Sequence, residues 1–392
     1  MRIILLLIFC AQFAIGATWY LDPVTGNDSN AGTSVGQPKR TASSILRTNM
    51  NAGDVCYVSP SAPIRECITL LKSWAGTTAS DYARLIGDPW NTSGFTNADG
   101  TLVAPGVVRW TAWTNSDTII PAMIDTLNIN GLSNLFIANI RIDGPPVTGR
   151  AIKANGGACR LWISNCVLIA SGSYALDFSN TGLYPKPTDC TIDRSFLWTF
   201  AVANALSVIH ASGSSGDYDM RIIGRDSVFF AMGNKGAGYL KNGSLGGVGG
   251  GGNFTNCTFI GTGGSWVTGN SSTSSIPAIF EGCNFWGQIV ADAVGQVTLN
   301  NSVVNYTSAS TTPNTTLGTG THTNDWWGMG FDFGTSQMMG FGPRPFWSQL
   351  KDSPLIGAGS NWTPYDMYGK PRATTNTWGP FELWTAPQRS SF

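Results

Sequence analysis

One short phrase, written seven times between Leu135 and Asn305, constrains this chain more than any other feature. The copies begin at Leu135, Leu161, Cys190, Ile222, Asn253, Ala278 and Val297. In each, apolar and polar residues alternate on both sides of a two-residue break. The register residues are Ile140, Cys166, Ser195, Ser227, Cys257, Cys283 and Ser302, at intervals of 26, 29, 32, 30, 26 and 19 residues. A period of this size belongs to stacked-repeat architectures. Alternation with period two, broken by a tight bend, reads as two short strands; no copy carries a helical period. Asn139, Asn165, Asn256 and Asn301 recur just before the register residue. Asn tolerates a left-handed backbone and bonds its own turn. Stacked Asn side chains can also bond to one another along the axis. The pattern predicts a parallel β-helix whose coils pair at about 4.8 Å.

The first residues read as a targeting segment. Arg2 supplies the charge, Ile3 to Ile15 the apolar run, and Ala14-Ile15-Gly16 a small-residue cleavage site before Ala17. The run is short for a membrane anchor, so the expectation is a signal peptide over 1–16 and a secreted or cell-surface protein. No later segment has enough consecutive apolar residues to span a membrane. Formal charge is zero and only 12% of residues are charged. No basic patch is present, which argues against a nucleic-acid partner.

Of eight cysteines, Cys10 lies in the signal, so seven remain and complete intrachain pairing is excluded. Cys166, Cys257 and Cys283 hold the position that Ser195, Ser227 and Ser302 hold in other coils. They are expected to be small inward residues of a stack. Zinc is disfavoured, because no Cys-x-x-Cys pair exists and there are two His. Cys56 and Cys67 are the best disulfide candidates, since export permits oxidation.

Both ends of the chain carry a more specific pattern. Trp19-Tyr20-Leu21-Asp22-Pro23 is followed by a Gly-Asn-Asp-rich loop from Gly26 and by Pro38-Lys39-Arg40-Thr41. Ala52-Gly53-Asp54-Val55-Cys56-Tyr57-Val58 and Ile64 to Leu70 come next. Near the other end stand Asp352-Ser353-Pro354-Leu355-Ile356-Gly357, Gly369-Lys370-Pro371-Arg372 and Gly379-Pro380-Phe381-Glu382. These phrases resemble the secreted right-handed parallel β-helix repeat family, the pectate-lyase-like superfamily. Lys39 stands where that pattern usually has Phe, and Gly357 where it usually has Asp. The resemblance implies an all-β, right-handed parallel β-helix with a short capping helix within Thr41 to Asn49. It also implies an irregular C-terminal tail packed along the last coils. The expected layout is 1–16 signal peptide, 17–52 strand, loop and capping helix, 53–307 coils with a lateral excursion near 89–118, and 308–392 tail. Asp22, Asn27, Asp28 and Asn30 read mainly as turn builders, with calcium ligation as the alternative.

The resemblance covers lyases, hydrolases and epimerases of glycans as well as noncatalytic surface proteins, and fold alone does not choose among them. In the enzymes, the third strand of each coil presents a groove for a sugar chain. Here that strand is expected at Ala151–Ala154, Ala175–Phe178, Ala205–Val208, Tyr239–Asn242 and Trp266–Thr268. Setting Ile152, Leu176, Leu206, Leu240 and Val267 inward puts Lys153, Asp177, Ser207, Lys241 and Thr268 outward in one column. A lyase needs a base for the proton alpha to a uronate carboxyl and cations for the developing enolate. Lys153 and Lys241 are the candidates for these roles, with Asp177 orienting them or holding a metal. Ser207, Tyr239, Trp266 and Thr268 are the candidate sugar contacts. A surface ion pair between Lys153 and Asp177, worth roughly 0 to 1 kcal/mol, is the plainer reading. Hydrolysis would want two carboxylates; the column offers Asp177, with Asp292 outside it, so hydrolysis ranks below elimination. His210 is a second candidate base, though a single His in an apolar strand is more often structural. The expected function is binding or cleavage of an extracellular polysaccharide, by β-elimination if catalytic. The competing class is a structural or adhesive solenoid, which would also suit self-assembly.

Overall fold

The computed structural model describes residues 16–70, 82–111 and, from 125 to 349, the strands with their adjoining bends. Apart from an antiparallel pair, Phe331–Phe333 with Trp347–Gln349, these strands form three parallel sheets of eleven, nine and eight members. The first sheet runs from Thr18–Leu21 to Thr315–Leu317, the second from Arg109–Thr111 to His322–Thr323, and the third from Ile68–Leu70 to Ile289–Ala291. Each strand pairs with its counterpart one coil before and one coil after: Leu161 lies between Leu135 and Cys190. The chain is therefore a parallel β-helix. Crossovers between parallel strands follow a right-handed rule.

The repeated phrase is the corner between the first and second sheets. Its turn is made by one residue with left-handed backbone in every copy: Asn139, Asn165, Arg194, Asp226, Asn256, Gly282 and Asn301, with φ between 44° and 61°. Asn is favoured there because its short side chain tolerates this region and can bond beyond its own turn. Asn165 Nδ2 donates to Asn139 Oδ1 at 2.8 Å, and Asn256 Nδ2 to Asp226 Oδ1 at 3.4 Å. The stacked-amide expectation therefore holds between Asn165 and Asn139, while Asn256 meets a carboxylate instead.

The next residue explains the alternation of Ser and Cys. The corner takes its backbone N–H out of the sheet ladder, and a buried donor must find an acceptor. The side chain one coil on supplies it. Cys166 N donates to Ser195 Oγ at 3.1 Å, Ser195 N to Ser227 Oγ at 3.0 Å, Cys257 N to Cys283 Sγ at 3.4 Å, and Cys283 N to Ser302 Oγ at 3.1 Å. Each hydroxyl then donates to the carbonyl two residues back, as Ser227 Oγ does to Arg225 O at 2.7 Å. A side chain here must be small and must both donate and accept, which Ser does well and Cys adequately.

Past that corner the interior is filled by one line of large residues: Ile142, Leu168, Leu197, Phe229, Phe259 and Phe285, all 0% exposed. Phe254 and Phe280 stack opposite them on the first sheet, 5.0 Å apart. Gly224 precedes Phe254 in its column, and a Cβ there would lie 2.4 Å from the Phe254 ring. That glycine makes room where the core changes from aliphatic to aromatic.

The open N-terminal end is closed by α1, Ala42–Leu46, whose Ala42, Ile45 and Leu46 are buried. Thr41 caps it, and Glu66 accepts from the free N–H groups of Ala42 and Ser43 at 2.6 and 3.1 Å. The preceding loop is built by its carboxylates. Asp22 Oδ1 accepts from Val24 N and Thr25 N, and Asp28 from Arg40 N, Thr41 N and Thr41 Oγ1. Burial acts to raise the Asp28 pKa, but the bonds from Thr41 and Arg40 outweigh it and hold the carboxyl below its ordinary value. Asn27 Oδ1 accepts from Ser29, and Asn30 Nδ2 donates to Pro38 O. All four residues thus make turn-building hydrogen bonds.

Two boundaries and one cysteine pairing differ from the sequence reading. The excursion rejoins the solenoid earlier than 118, since Arg109–Thr111 is already a strand of the second sheet. The coils continue beyond 307, because Thr315–Leu317 and His322–Thr323 add a further parallel turn. Such short strands, without the repeated phrase, leave little periodic signal. Cys56 and Cys67 are free thiols. Cys56 belongs to the first sheet and Cys67 precedes the first strand of the third, so they lie on different sides of the coil.

Burial pushes the Cys67 thiol up to about 11, with Asp125 adding to it, and the Cys166 thiol up to about 12. Burial also raises Cys257, reinforced by its neighbour Cys283. In native protein at neutral pH the buried Cys166 and Cys257 thiols should therefore resist iodoacetamide and react only on unfolding. Mass spectrometry of unreduced, alkylated protein should find no disulfide among Cys166, Cys257 and Cys283. Because each folded value is raised, the stabilisation is complete below the ordinary thiol pKa. It is lost as pH climbs from about 9 towards 11 and 12, so an unfolding series over that range should show falling stability.

Candidate functional site

The candidate residues gather on the third sheet. Its strands Arg150–Asn155, Leu176–Asn180, Ile209–Gly213, Gly238–Lys241 and Trp266–Gly269 stack in consecutive coils. Ile152 and Leu176 pair in register and are 0% exposed, so their line faces the core. The next line along the strands is Asn128, Lys153, Asp177, His210, Tyr239, Val267 and Val290. A cation, a carboxylate, an imidazole-bearing residue and a tyrosine thus occupy successive coils, roughly 4.8 Å apart.

Asp177 is fully buried, and its carboxylate forms an ion pair with Arg150 Nε. The approach is close, but the N–H is not aligned as a hydrogen bond. Arg150 also donates from Nη1 to Asp125 Oδ1 at 3.0 Å. One guanidinium, itself mostly covered, therefore spans two buried carboxylates from adjacent coils. Charge-assisted contacts of this kind are among the stronger polar interactions, and removing one partner leaves a buried charge uncompensated. Lys153 is half-buried at the register position beside Asp177. The ion pair expected between Lys153 and Asp177 is replaced by Arg150 with Asp177, because Arg150 reaches the carboxylate from the start of the same strand as Lys153. On the neighbouring sheet Asp143 is held in a similar way, by Arg141 Nε at 2.8 Å and Arg109 Nε at 2.5 Å.

The other expected residues fall at different register positions. Lys241 pairs with Ser212, and Ser212 with Ser179. It stands two residues along from the line of Asp177, an even offset that keeps the same alternation parity. Trp266 leads through Gly238 and Ile209 to the line of Leu176, and Thr268 pairs with Leu240 in the line of Phe178. Both therefore have the parity of the core-facing lines, and neither joins Lys153. Ser207 and Asp292 lie outside the described residues. The column changes because the third-sheet strand begins at Ile209, three residues beyond Leu206.

Arg150 is the addition, and His210, the second candidate base of the sequence, joins the line of Asp177. Arg150 was legible as an arginine opening the strand that contains Lys153, but its reach to two carboxylates depends on which strands adjoin it. Among the described residues no cluster of three or more His, Cys, Asp or Glu is arranged to hold a metal ion. Nor is any helix there long and apolar enough to cross a membrane.

No protein-family model matches this sequence, and no curated protein matches it. Several solved structures do resemble the fold. A crystal structure of pectate lyase Pel9A aligns over 94% of this chain and 96% of its own, with 12% identity and a TM-score of 0.45. A rhamnogalacturonan lyase aligns over 77% of this chain and 87% of its own, with 14% identity and a TM-score of 0.33. A structure of Escherichia coli YbhC aligns over 78% and 84%, with 12% identity and a TM-score of 0.37. The architecture rests on the strand register itself: the chain is a three-sheeted parallel β-helix, the form that the resemblance read from its sequence implied.

Proposed function

We propose that the third sheet binds an extracellular polysaccharide and cleaves it by β-elimination next to a uronate. The observation that carries this reading is the line of Lys153, Asp177, His210 and Tyr239 in consecutive coils. Stacking at roughly 4.8 Å per coil spreads these groups over a length comparable to two or three sugar units. In this reading Lys153 neutralises the uronate carboxylate as the enolate develops, and Lys241, offset along the strand, does so at an adjoining sugar. Tyr239 offers a ring for sugar stacking, and Ser207, Trp266 and Thr268 are retained as candidate contacts nearby. Asp177 orients the polar groups around it, held in turn by Arg150. The N-terminal apolar segment supports export, with cleavage near Gly16, which suits an extracellular substrate.

The competing reading is a noncatalytic solenoid, an adhesin or fibre component. Complete burial of Asp177 against Arg150 favours it, since such a pair can be purely architectural. Incubation with a panel of uronate polymers, monitored near 235 nm (roughly, for the unsaturated product), separates the two. Absorbance growth on at least one polymer is expected. Retention of a polymer without any product would leave a binding protein, and neither retention nor product would favour the solenoid.

A further inference from the structure

We propose that His210 is the base that takes the proton, and that Asp177, held by Arg150, is the positioning residue behind it. This rests on the elimination reading above and names the group that reading leaves open. His210 is one of two histidines in the chain. It is the direct register partner of Asp177 on one side and of Tyr239 on the other. Asp177 is 0% exposed and already balanced by Arg150, which also spans Asp125. A base oriented by a carboxylate that a third group holds is the general arrangement of an activated proton acceptor. An unperturbed imidazole changes charge near neutral pH, whereas a lysine must first lose a proton that it holds tightly. Lys153 and Lys241 are thus better suited to neutralising the substrate carboxylate than to removing a proton.

The step balances without a cofactor. The C–H bond alpha to the uronate carboxyl breaks and its proton passes to the imidazole. The electron pair forms the new carbon–carbon double bond, the glycosidic C–O bond breaks, and the leaving oxygen takes a proton from water. The imidazolium then returns its proton to solvent.

The charged and titratable groups on the strands adjoining His210 are Asp177 and its partner Arg150, with Lys153 one coil further, and Tyr239 with Lys241 on the other side. The Asp177 carboxylate favours the imidazolium and Arg150 opposes it. The test uses full-length protein carrying His322→Asn, so that a single imidazole is followed by NMR. Asp177→Asn should lower the His210 pKa, and Arg150→Lys, which preserves the charge, should leave it nearly in place. A titration unmoved by Asp177→Asn overturns the pairing. On a polymer that the unaltered protein cleaves, His210→Asn should lower kcat/KM by about 10²- to 10⁴-fold. Its rising acidic limb should also disappear from the pH profile, while Asp177→Asn should shift that limb to lower pH. Full activity in His210→Asn overturns the assignment. A shifted titration with no cleavage of any polymer by the unaltered protein overturns the elimination reading and leaves the Asp177–His210 pairing standing.

Discussion

Phe259→Ala is expected to destabilise the protein by about 3–5 kcal/mol, the range for an aromatic residue removed from a packed core. Phe259 is 0% exposed. Its ring lies parallel to Phe229 at 4.8 Å and to Phe285 at 5.0 Å, and edge-to-face with Phe254 and Phe280, both at 5.4 Å. Four aromatic neighbours would lose contacts together. The strands that carry them are fixed in register by parallel ladders on both sides, so the cavity cannot close by sliding one coil. Ile279, 40% exposed on the first sheet, is the matched control. Ile279→Ala should stay within about 0.5 kcal/mol of the unaltered protein. Denaturant midpoints for the two variants measure the difference. Equal midpoints would mean that the inward line has been assigned to the wrong residues.

Lys153→Ala is expected to lower kcat by about 10²- to 10³-fold on a cleaved polymer, the usual loss when a group that stabilises developing negative charge is removed. Its thermal midpoint should hardly move, because the Asp177 carboxylate beside it is balanced by Arg150 and does not depend on the lysine. Lys241 stands two residues along, opposite Ser212. Lys241→Ala should therefore raise KM more than it lowers kcat, since the proposed function sets it at a sugar adjoining the one that reacts. Steady-state kinetics of both variants give the contrast. Equal losses of kcat would place both lysines at the reacting sugar. An unaffected Lys153→Ala would remove that residue from the chemistry.

The repeated phrase made the corner legible because its length is fixed. Between the first and second sheets the turn is always one left-handed residue followed by one small residue, so the intervals align themselves. That is why Cys166, Cys257 and Cys283 could be read as members of a stack from the sequence alone. The passage from the second sheet to the third has no such constraint. Eleven residues separate Cys166 from Asp177, fifteen separate Ser195 from His210, and twelve separate Ser227 from Tyr239. The run Ala201 to Ala211 is apolar enough to satisfy several registers, so Leu206 was a reasonable partner for Leu176 by hydropathy. Pairing chose Ile209 instead, which put His210 beside Asp177. Lys153 and Asp177 kept their line, Tyr239 joined it, Lys241 fell two residues along the strand from it, and Thr268 left it. The reach of Arg150 to carboxylates 25 and 27 residues away in sequence lay beyond pattern reading.

Placing a bound oligosaccharide tests the account most directly. A crystal structure of full-length His210→Asn with an oligouronide should show the sugar chain along the third sheet, crossing the strands Arg150–Asn155, Leu176–Asn180, Ile209–Gly213 and Gly238–Lys241. A uronate carboxylate should lie within hydrogen-bonding distance of Lys153 Nζ, about 2.7–3.2 Å. Sugar bound on the first or second sheet, or none at saturating oligouronide, would contradict it.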